Sequence, residues 1–321
     1  MIVDISHCPL KDDVHLAFVQ DQHDIKLSLV CFSTAFSPHL LQGMMSVPIG
    51  VIPKPHSQKL WLIIDPLTRE YSPNTCIPCS SVSIPLDNLH HLGTQLINVW
   101  KCLSSSVHLS VFTSDVSGAY QQLPMYFLWQ LFQVVTIDGL IHVDHNINFG
   151  NRGAGGLWGS FMGLVLWVAI HTKHLDDLLA YVHNVFSYKL EPNMPWYAPY
   201  YRSLPTKQTW LLELWDKLGV PHDELKQVYG STLTIIRFKA DPNAMIITMP
   251  LQSHTDLVDM LCTFTSPGRC CSLCDFQRLA GWMNWALNAY PLLHPSLSCL
   301  YAKMSGKSQP HQLIWISISL C

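Results

Sequence analysis

Between Arg152 and Lys173 no charged residue occurs, and this stretch limits what the chain can become. A run of that length is long enough to cross a bilayer. Its first residues, Gly153-Ala154-Gly155-Gly156, start a helix poorly, because ordering glycine costs more backbone entropy than ordering any other residue. What remains, Leu157 to His171, is short for a span and is expected to form a fully buried core helix. The chain has 321 residues, 49% of them hydrophobic, enough for one large domain or two subdomains sharing a core. Global disorder is excluded on the same grounds.

Charge is scarce. Only 13% of residues are charged, about half the usual share of roughly 25%. The net charge is -3 and the pI is near 6.6. Proteins that bind duplexes carry basic surfaces that displace counterions, so charge alone speaks against a nucleic-acid partner, and any such reading must rest on motifs. The opening MIVDISHCPLKDD has no basic start and no apolar core, and no signal peptide is expected there. Eleven cysteines, an odd number scattered along a long chain, do not suggest a secreted disulfide framework. The expected setting is reducing and intracellular, in cytoplasm or nucleus. Two Cys-x-x-Cys pairs occur, Cys76/Cys79 and Cys271/Cys274, with Cys270 beside the second. A zinc site would need four ligands gathered from distant segments, so these thiols read as small apolar residues.

Elsewhere short apolar runs are punctuated by turn residues. Val47 to Pro66 reads as two strands around a Lys54-Pro55 turn. Residues 72–92, rich in Ser, Pro and Asn, read as a connecting loop, followed by a short helix from Leu92 to Leu103. Val107 to Val116 is a buried-strand pattern ending in Asp115. Trp129 to Val143 reads as a hairpin about Asp138-Gly139, a pair suited to a primed turn. Leu175 to Tyr188 reads as a second hairpin turning at His183-Asn184, with Asn184 in the left-handed region. Leu211 to Leu218 reads as a helix stopped by Gly219. Thr232 to Phe238 and Met245 to Met249 read as strands around Asp241-Pro242-Asn243, and Leu257 to Phe264 and Phe276 to Ala289 as helices. Residues 1–46 match nothing recognisable, and residues 308–321 form an apolar tail. Hairpins mixed with helices predict an α+β fold.

One ordered set of motifs carries chemistry. Ser114-Asp115-Val116-Ser117-Gly118-Ala119-Tyr120, continuing into Gln121-Gln122-Leu123-Pro124, places an acid at a strand end and an aromatic five positions later. Asn148-Phe149-Gly150-Asn151-Arg152 precedes the apolar helix; Leu179-Ala180-Tyr181-Val182-His183-Asn184 crosses a hairpin turn. Then come Leu218-Gly219-Val220-Pro221-His222 with Lys226, Asp241-Pro242-Asn243-Ala244-Met245, and Gly281-Trp282-Met283-Asn284-Trp285. Upstream stand Ile52-Pro53-Lys54-Pro55-His56-Ser57 and Leu62-Ile63-Ile64-Asp65. In this order, over roughly residues 47–307, the chain resembles the reverse transcriptase (RNA-directed DNA polymerase) domain of retrotransposons, most closely those encoding a tyrosine recombinase.

The resemblance implies a right-hand polymerase: fingers over 47–106, an antiparallel palm sheet backed by helices over 107–250, and thumb and connection over 251–307. It implies Mg2+ as cofactor, held by Asp115, and an RNA/DNA template–primer as partner. It further implies nucleotide contacts from Lys54, Tyr120, Arg152 and Lys226, with Tyr120 excluding the ribose 2′-hydroxyl. Nucleotidyl transfer needs two metals, which repel by ~16 kcal/mol when about 4 Å apart at an effective dielectric of 20, so several carboxylates must converge on them. Here the pattern breaks. Where the family has Tyr-x-Asp-Asp, this chain reads Tyr181-Val182-His183-Asn184, so both turn carboxylates of the catalytic set are replaced. Imidazole suits zinc or copper better than magnesium. Trp61 replaces an arginine of the fingers strand, and Arg237 replaces a glycine of the late hairpin. A degenerate, catalytically dead copy is expected, with no ribonuclease H module following.

Two alternatives accompany that expectation. One is a non-catalytic nucleic-acid-binding remnant using Lys54, Arg152, Lys207 and Lys226; the other is a membrane-associated protein built around residues 153–172. The first expectation includes no membrane and names no protein partner. No Gly-x-Ser-x-Gly elbow and no His-Glu-x-x-His helix is present, so a hydrolase has little support.

Overall fold

Asp138 and Gly139 have φ of 51° and 74°, the two positive angles a primed hairpin turn requires. Val134–Ile137 and Leu140–Val143 therefore pair directly across them, from Val134 opposite Val143 to Ile137 opposite Leu140. Local rules of this kind build most of the molecule. The computed structural model describes residues 12–54, 58–64, 72–78, 80, 82, 84–103, 108–190, 193–266 and 270–307, and the backbone of 3–4 and 313–315. The chain mixes helices with mainly antiparallel sheets, an α+β fold. It forms two compact units, the first from residues 1–86, 116–174 and 218–222, the second from 87–115, 175–217 and 223–321.

In the first unit the helix Asp13–Ser28, capped by the Asp12 carboxylate on the His15 amide, packs Val19 against Phe32, Val47, Ile49, Ile64, Val135 and Ile137. The sequence pattern predicts no helix here. Ile49–Pro53 and Leu60–Ile64 form the expected antiparallel pair. Pro55, His56, Ser57 and Asp65 lie outside the described residues. The strand expected from Trp129 starts only at Val134; residues Phe127–Gln130 form a helical turn instead.

The uncharged stretch is a helix over Ala154–Lys173, and two expectations about it need correction. Gly155 and Gly156 lie within the helix rather than before it, with Gly153 at its N-cap. At Gly159 a Cβ would collide with the tip of Ile84, which would have to turn away to admit it. Nor is the helix fully buried. Ala154, Trp158, Met162, Val165 and Ala169 are buried at helical spacing, whereas Leu157, Leu164 and Trp167 are more than half exposed. By length and composition alone, this helix could cross a membrane.

In the second unit a four-stranded antiparallel sheet has the order Val228–Gly230, Leu109–Asp115, Asn184–Leu190, Leu179–Tyr181. The strand Leu109–Asp115 is hydrogen-bonded on both sides and buried up to its last residue. The helix Leu89–Cys102, begun by an Asn88 capping box, adds Leu89, Leu92 and Leu96 to a core with Leu109, Val111, Phe186 and Tyr188. The helix Thr206–Leu218 buries Leu211, Leu212 and Trp215 and ends at Gly219, whose φ is +70°. It starts five residues before the expected Leu211.

Thr232 to Phe238 is not one strand. It folds into Leu233–Ile235 and Phe238–Asp241 about Ile236 and Arg237, with φ of 48° and 66°. Phe238–Asp241 then pairs with Ile246–Thr248, and the Asp241 carboxylate accepts from the amides of Asn243 and Ala244 to close the loop. Helices Leu251–Phe264, Leu273–Ala286 and His294–Met304 complete the unit's core. Of the tail, only the backbone of Leu313–Trp315 is described, paired with Cys270–Ser272. Cys271 is buried, but Cys76 and Cys274 are exposed, against the reading of these thiols as packing residues; Cys79 lies outside the described residues.

Candidate functional site

Side chains alternate along a strand, so Leu109, Val111, Thr113 and Asp115 share one face. Cross-strand register puts Asn184 directly opposite Asp115, and Phe186 opposite Thr113. Asp115 thus stands where the fully buried part of its strand stops, with its side chain 15% exposed. The sequence pattern puts the hairpin turn at His183-Asn184, but it lies one residue earlier. Tyr181 pairs with Asn184, so Val182 and His183 form the turn. Val182, at φ 56°, takes the left-handed position expected of Asn184. This one-residue difference matters: it makes Asn184 a strand residue and leaves His183 at the tip, beside Asp115.

Both carboxylate oxygens of Asp115 have a partner. Lys226 Nζ donates to Oδ1 at 2.9 Å, and His183 Nε2 lies 3.3 Å from Oδ2. Burial works to raise the Asp115 pKa, but hydrogen bonds and charge from His183 and Lys226 outweigh it and hold the carboxyl below its ordinary value. Asp223, largely exposed, approaches Lys226 Nζ at 4.0 Å.

Lys226 is positioned by a residue that the motifs do not flag. Gln227 is fully buried, and its Nε2 donates to the backbone carbonyls of Asp115 at 3.1 Å and Asp223 at 3.0 Å. It clamps the 3₁₀ turn Glu224–Lys226 to the end of the Asp115 strand, while Val228 enters the sheet opposite Thr113. Arg202 adds a second tie, donating through Nη2 to the carbonyls of Glu224 and Gln227. A parallel role falls to Gln208, also fully buried, whose Nε2 donates to Thr113 O and Ser114 Oγ. Asp87 pins the outer strand by accepting from the Ala180 amide at 2.8 Å. A glutamine's role of this kind depends on cross-strand register, which no local motif encodes.

The structure therefore brings together Asp115, His183, Asn184 and Lys226 within the second unit. Lys54, Tyr120 and Arg152 belong to the first unit, each with local partners. Arg152 Nη1 donates to Ile77 O at 2.8 Å, and its backbone amide donates to Asn74 Oδ1, which fixes the entry to the long helix. Tyr120 packs edge-on to Phe149, with ring centroids 5.2 Å apart. Lys54 Nζ lies 5.7 Å from the centre of the Trp61 ring. Lys207, in the second unit, reaches Asp177 Oδ2 at 3.6 Å and lies over the Tyr188 ring. Among the described residues no group of three or more His, Cys, Asp or Glu side chains converges as metal ligands.

No protein-family profile matches the chain, and no curated protein is significantly similar to it. Solved structures do match. A foamy viral protease-reverse transcriptase in complex with double-stranded DNA superposes with a TM-score of 0.62 at 16% identity, over 97% of this chain and 47% of that one. A foamy viral protease-reverse transcriptase with an RNA/DNA hybrid gives 0.59 at 17%, over 97% and 36%. A further double-stranded DNA complex gives 0.61 at 15%, over 96% and 55%. This chain thus spans roughly half or less of those proteins' lengths. At such identities the likeness is one of fold, and that fold is reverse-transcriptase-like.

Proposed function

We propose that the chain is the reverse-transcriptase-like domain of a retroelement, a degenerate intracellular copy that does not synthesise DNA. On this reading residues 47–106 are fingers, 107–250 palm and 251–307 thumb and connection. The observation that carries it is the hairpin end beside Asp115, where His183 in the turn and Asn184 at the strand start offer an imidazole and an amide, whereas transfer of a nucleotide needs two carboxylates. Magnesium takes near-octahedral oxygen ligands at about 2.0–2.1 Å. One carboxylate, with an ammonium on one oxygen and an imidazole near the other, does not offer that set. The residues do not fit a magnesium pair.

Primer extension on an RNA template, with Mg2+ or Mn2+, tests this reading. The unaltered chain is expected to give no product, and extension by it would overturn the proposal. The double variant His183→Asp, Asn184→Asp is the companion measurement. Extension by it alone would locate the defect in the turn, while silence from both, with each shown to be folded, would extend the defect to the nucleotide pocket.

A second reading, nucleic-acid binding without chemistry, draws on the nucleic acid held by the similar structures. Against it, Lys54, Arg152, Lys207 and Lys226 all have protein partners. Weak binding at most is expected. Tight binding of an RNA–DNA hybrid that falls steeply with salt would favour the second reading over the first.

A further inference from the structure

We infer that the Lys226 ammonium serves as the built-in cation of this site, taking over the neutralising role that divalent ions have in a polymerase centre, so that the chain is indifferent to Mg2+ and Mn2+. Lys226 is 46% exposed, but it meets an Asp115 carboxylate that is only 15% exposed. Nζ lies 2.9 Å from Asp115 Oδ1 and 4.0 Å from Asp223 Oδ2, between the two carboxylates nearest it. Surface ion pairs contribute little when both chains must be ordered to meet. Here the backbone that carries the lysine is ordered separately. Gln227 ties both flanks of the lysine's turn to the Asp115 backbone, Arg202 holds its carbonyls, and the register of Val228 with Thr113 fixes where the turn begins.

Charge count explains why an ammonium prevails here. With three carboxylates, two divalent ions are well compensated and displace a singly charged group. With Asp115 at the end of the sheet and the exposed Asp223 4.0 Å from Lys226 Nζ in place of three converging carboxylates, a pair of ions would leave much of their mutual repulsion uncompensated, whereas one ammonium needs only Asp115 at contact distance. His183 Nε2 lies 3.3 Å from the other oxygen, so both carboxylate oxygens already have a protein partner. The inference rests on reading Asp115 as the residue of a former metal centre. Mn2+ held at Asp115 by a wild type that extends no primer would fail the inference and leave that reading standing, and the measurement uses no nucleotide or nucleic acid.

The test compares wild type, Lys226→Met, Lys226→Arg and the double variant Lys226→Met, Asp115→Asn. Melting is followed in EDTA, Mg2+ and Mn2+, and Mn2+ binding by electron paramagnetic resonance. Wild type is expected to melt at one temperature in all three media and to bind no Mn2+. Lys226→Met should melt a few degrees lower in EDTA and recover with Mn2+, binding an ion that the double variant loses. Lys226→Arg, which keeps a cation in place, should stay indifferent. Mn2+ binding by wild type that disappears with Asp115→Asn would overturn the inference. So would a Lys226→Met protein that gains no response to Mn2+. Mn2+ binding by wild type at Asp115 overturns the inference even if Lys226→Met folds poorly.

Discussion

Arg237 carries a side chain where the backbone is best served by glycine. At φ 66° it sits in the left-handed region, costing of order 1 kcal/mol, and it is exposed, so its side chain recovers little by packing. Arg237→Gly is expected to raise stability by about 1 kcal/mol in a denaturant titration; a loss would mean that the arginine has a compensating contact. Val182, β-branched and at φ 56°, is strained for the same reason. A different strain lies at Asp144, which is buried beside Lys26, itself only 6% exposed. Burial pushes the Asp144 carboxyl up to about 6, against the attraction of Lys26 and a hydrogen bond from the Asn146 amide. Its pKa is raised on folding, so the stability this group contributes is fully present below its unfolded value near 3.8 and lost as pH rises through about 6. Asp144→Asn should remove that slope between about pH 4 and 7 and leave the protein more stable than wild type at pH 8, by of order 1–3 kcal/mol. Melting curves across that range, falling less steeply for the variant than for wild type, are the expected pair.

At the scale of elements, the long helix Ala154–Lys173 separates two glycines that look alike in the sequence. Gly163 is exposed, and a methyl added there would have no neighbour within 4 Å, whereas a methyl on Gly159 collides with Ile84. Gly163→Ala should stabilise by about 1 kcal/mol through helix propensity, and Gly159→Ala by clearly less because Ile84 must turn away. Thermal melts of the two variants give the comparison directly, and equal gains would show that Ile84 moves freely. The same helix shows what could be read in advance. Its position was legible, but its orientation was not, because a stretch without charge has no polar side to mark the face left exposed. The Asp138-Gly139 hairpin was legible because its residues announce positive φ. The turns at Val182 and at Ile236-Arg237 were not, since tertiary pairing imposes there a conformation that these residue types disfavour. The helix Asp13–Ser28 hid for the opposite reason: Lys26 is buried while Val14, Leu16 and Ile25 are exposed, so its pattern runs against the usual one. At the candidate site, Asp115, His183 and Asn184 were found through their resemblance to a known motif. Gln227, which positions Lys226, was missed because its partners are backbone carbonyls set by register.

At the scale of the whole molecule, the chain crosses between its two units repeatedly, and neither unit is one continuous segment. The second unit's sheet depends on Leu109–Asp115, which lies between Val228–Gly230 and Asn184–Leu190. A fragment of residues 175–321 lacks that central strand and is expected to stay unfolded, without a cooperative melting transition; adding back residues 87–115 is the natural control. The order of the strands also sets a schedule. Both neighbours of Leu109–Asp115 are encoded after it, the nearer one beginning at Asn184. At synthesis rates of roughly 5–20 residues per second, a growing chain carries this apolar strand without either neighbour for several seconds. During that interval it is a segment for a chaperone to cover, and the yield of folded protein in a cell is set as much by that wait as by the stability of the finished sheet.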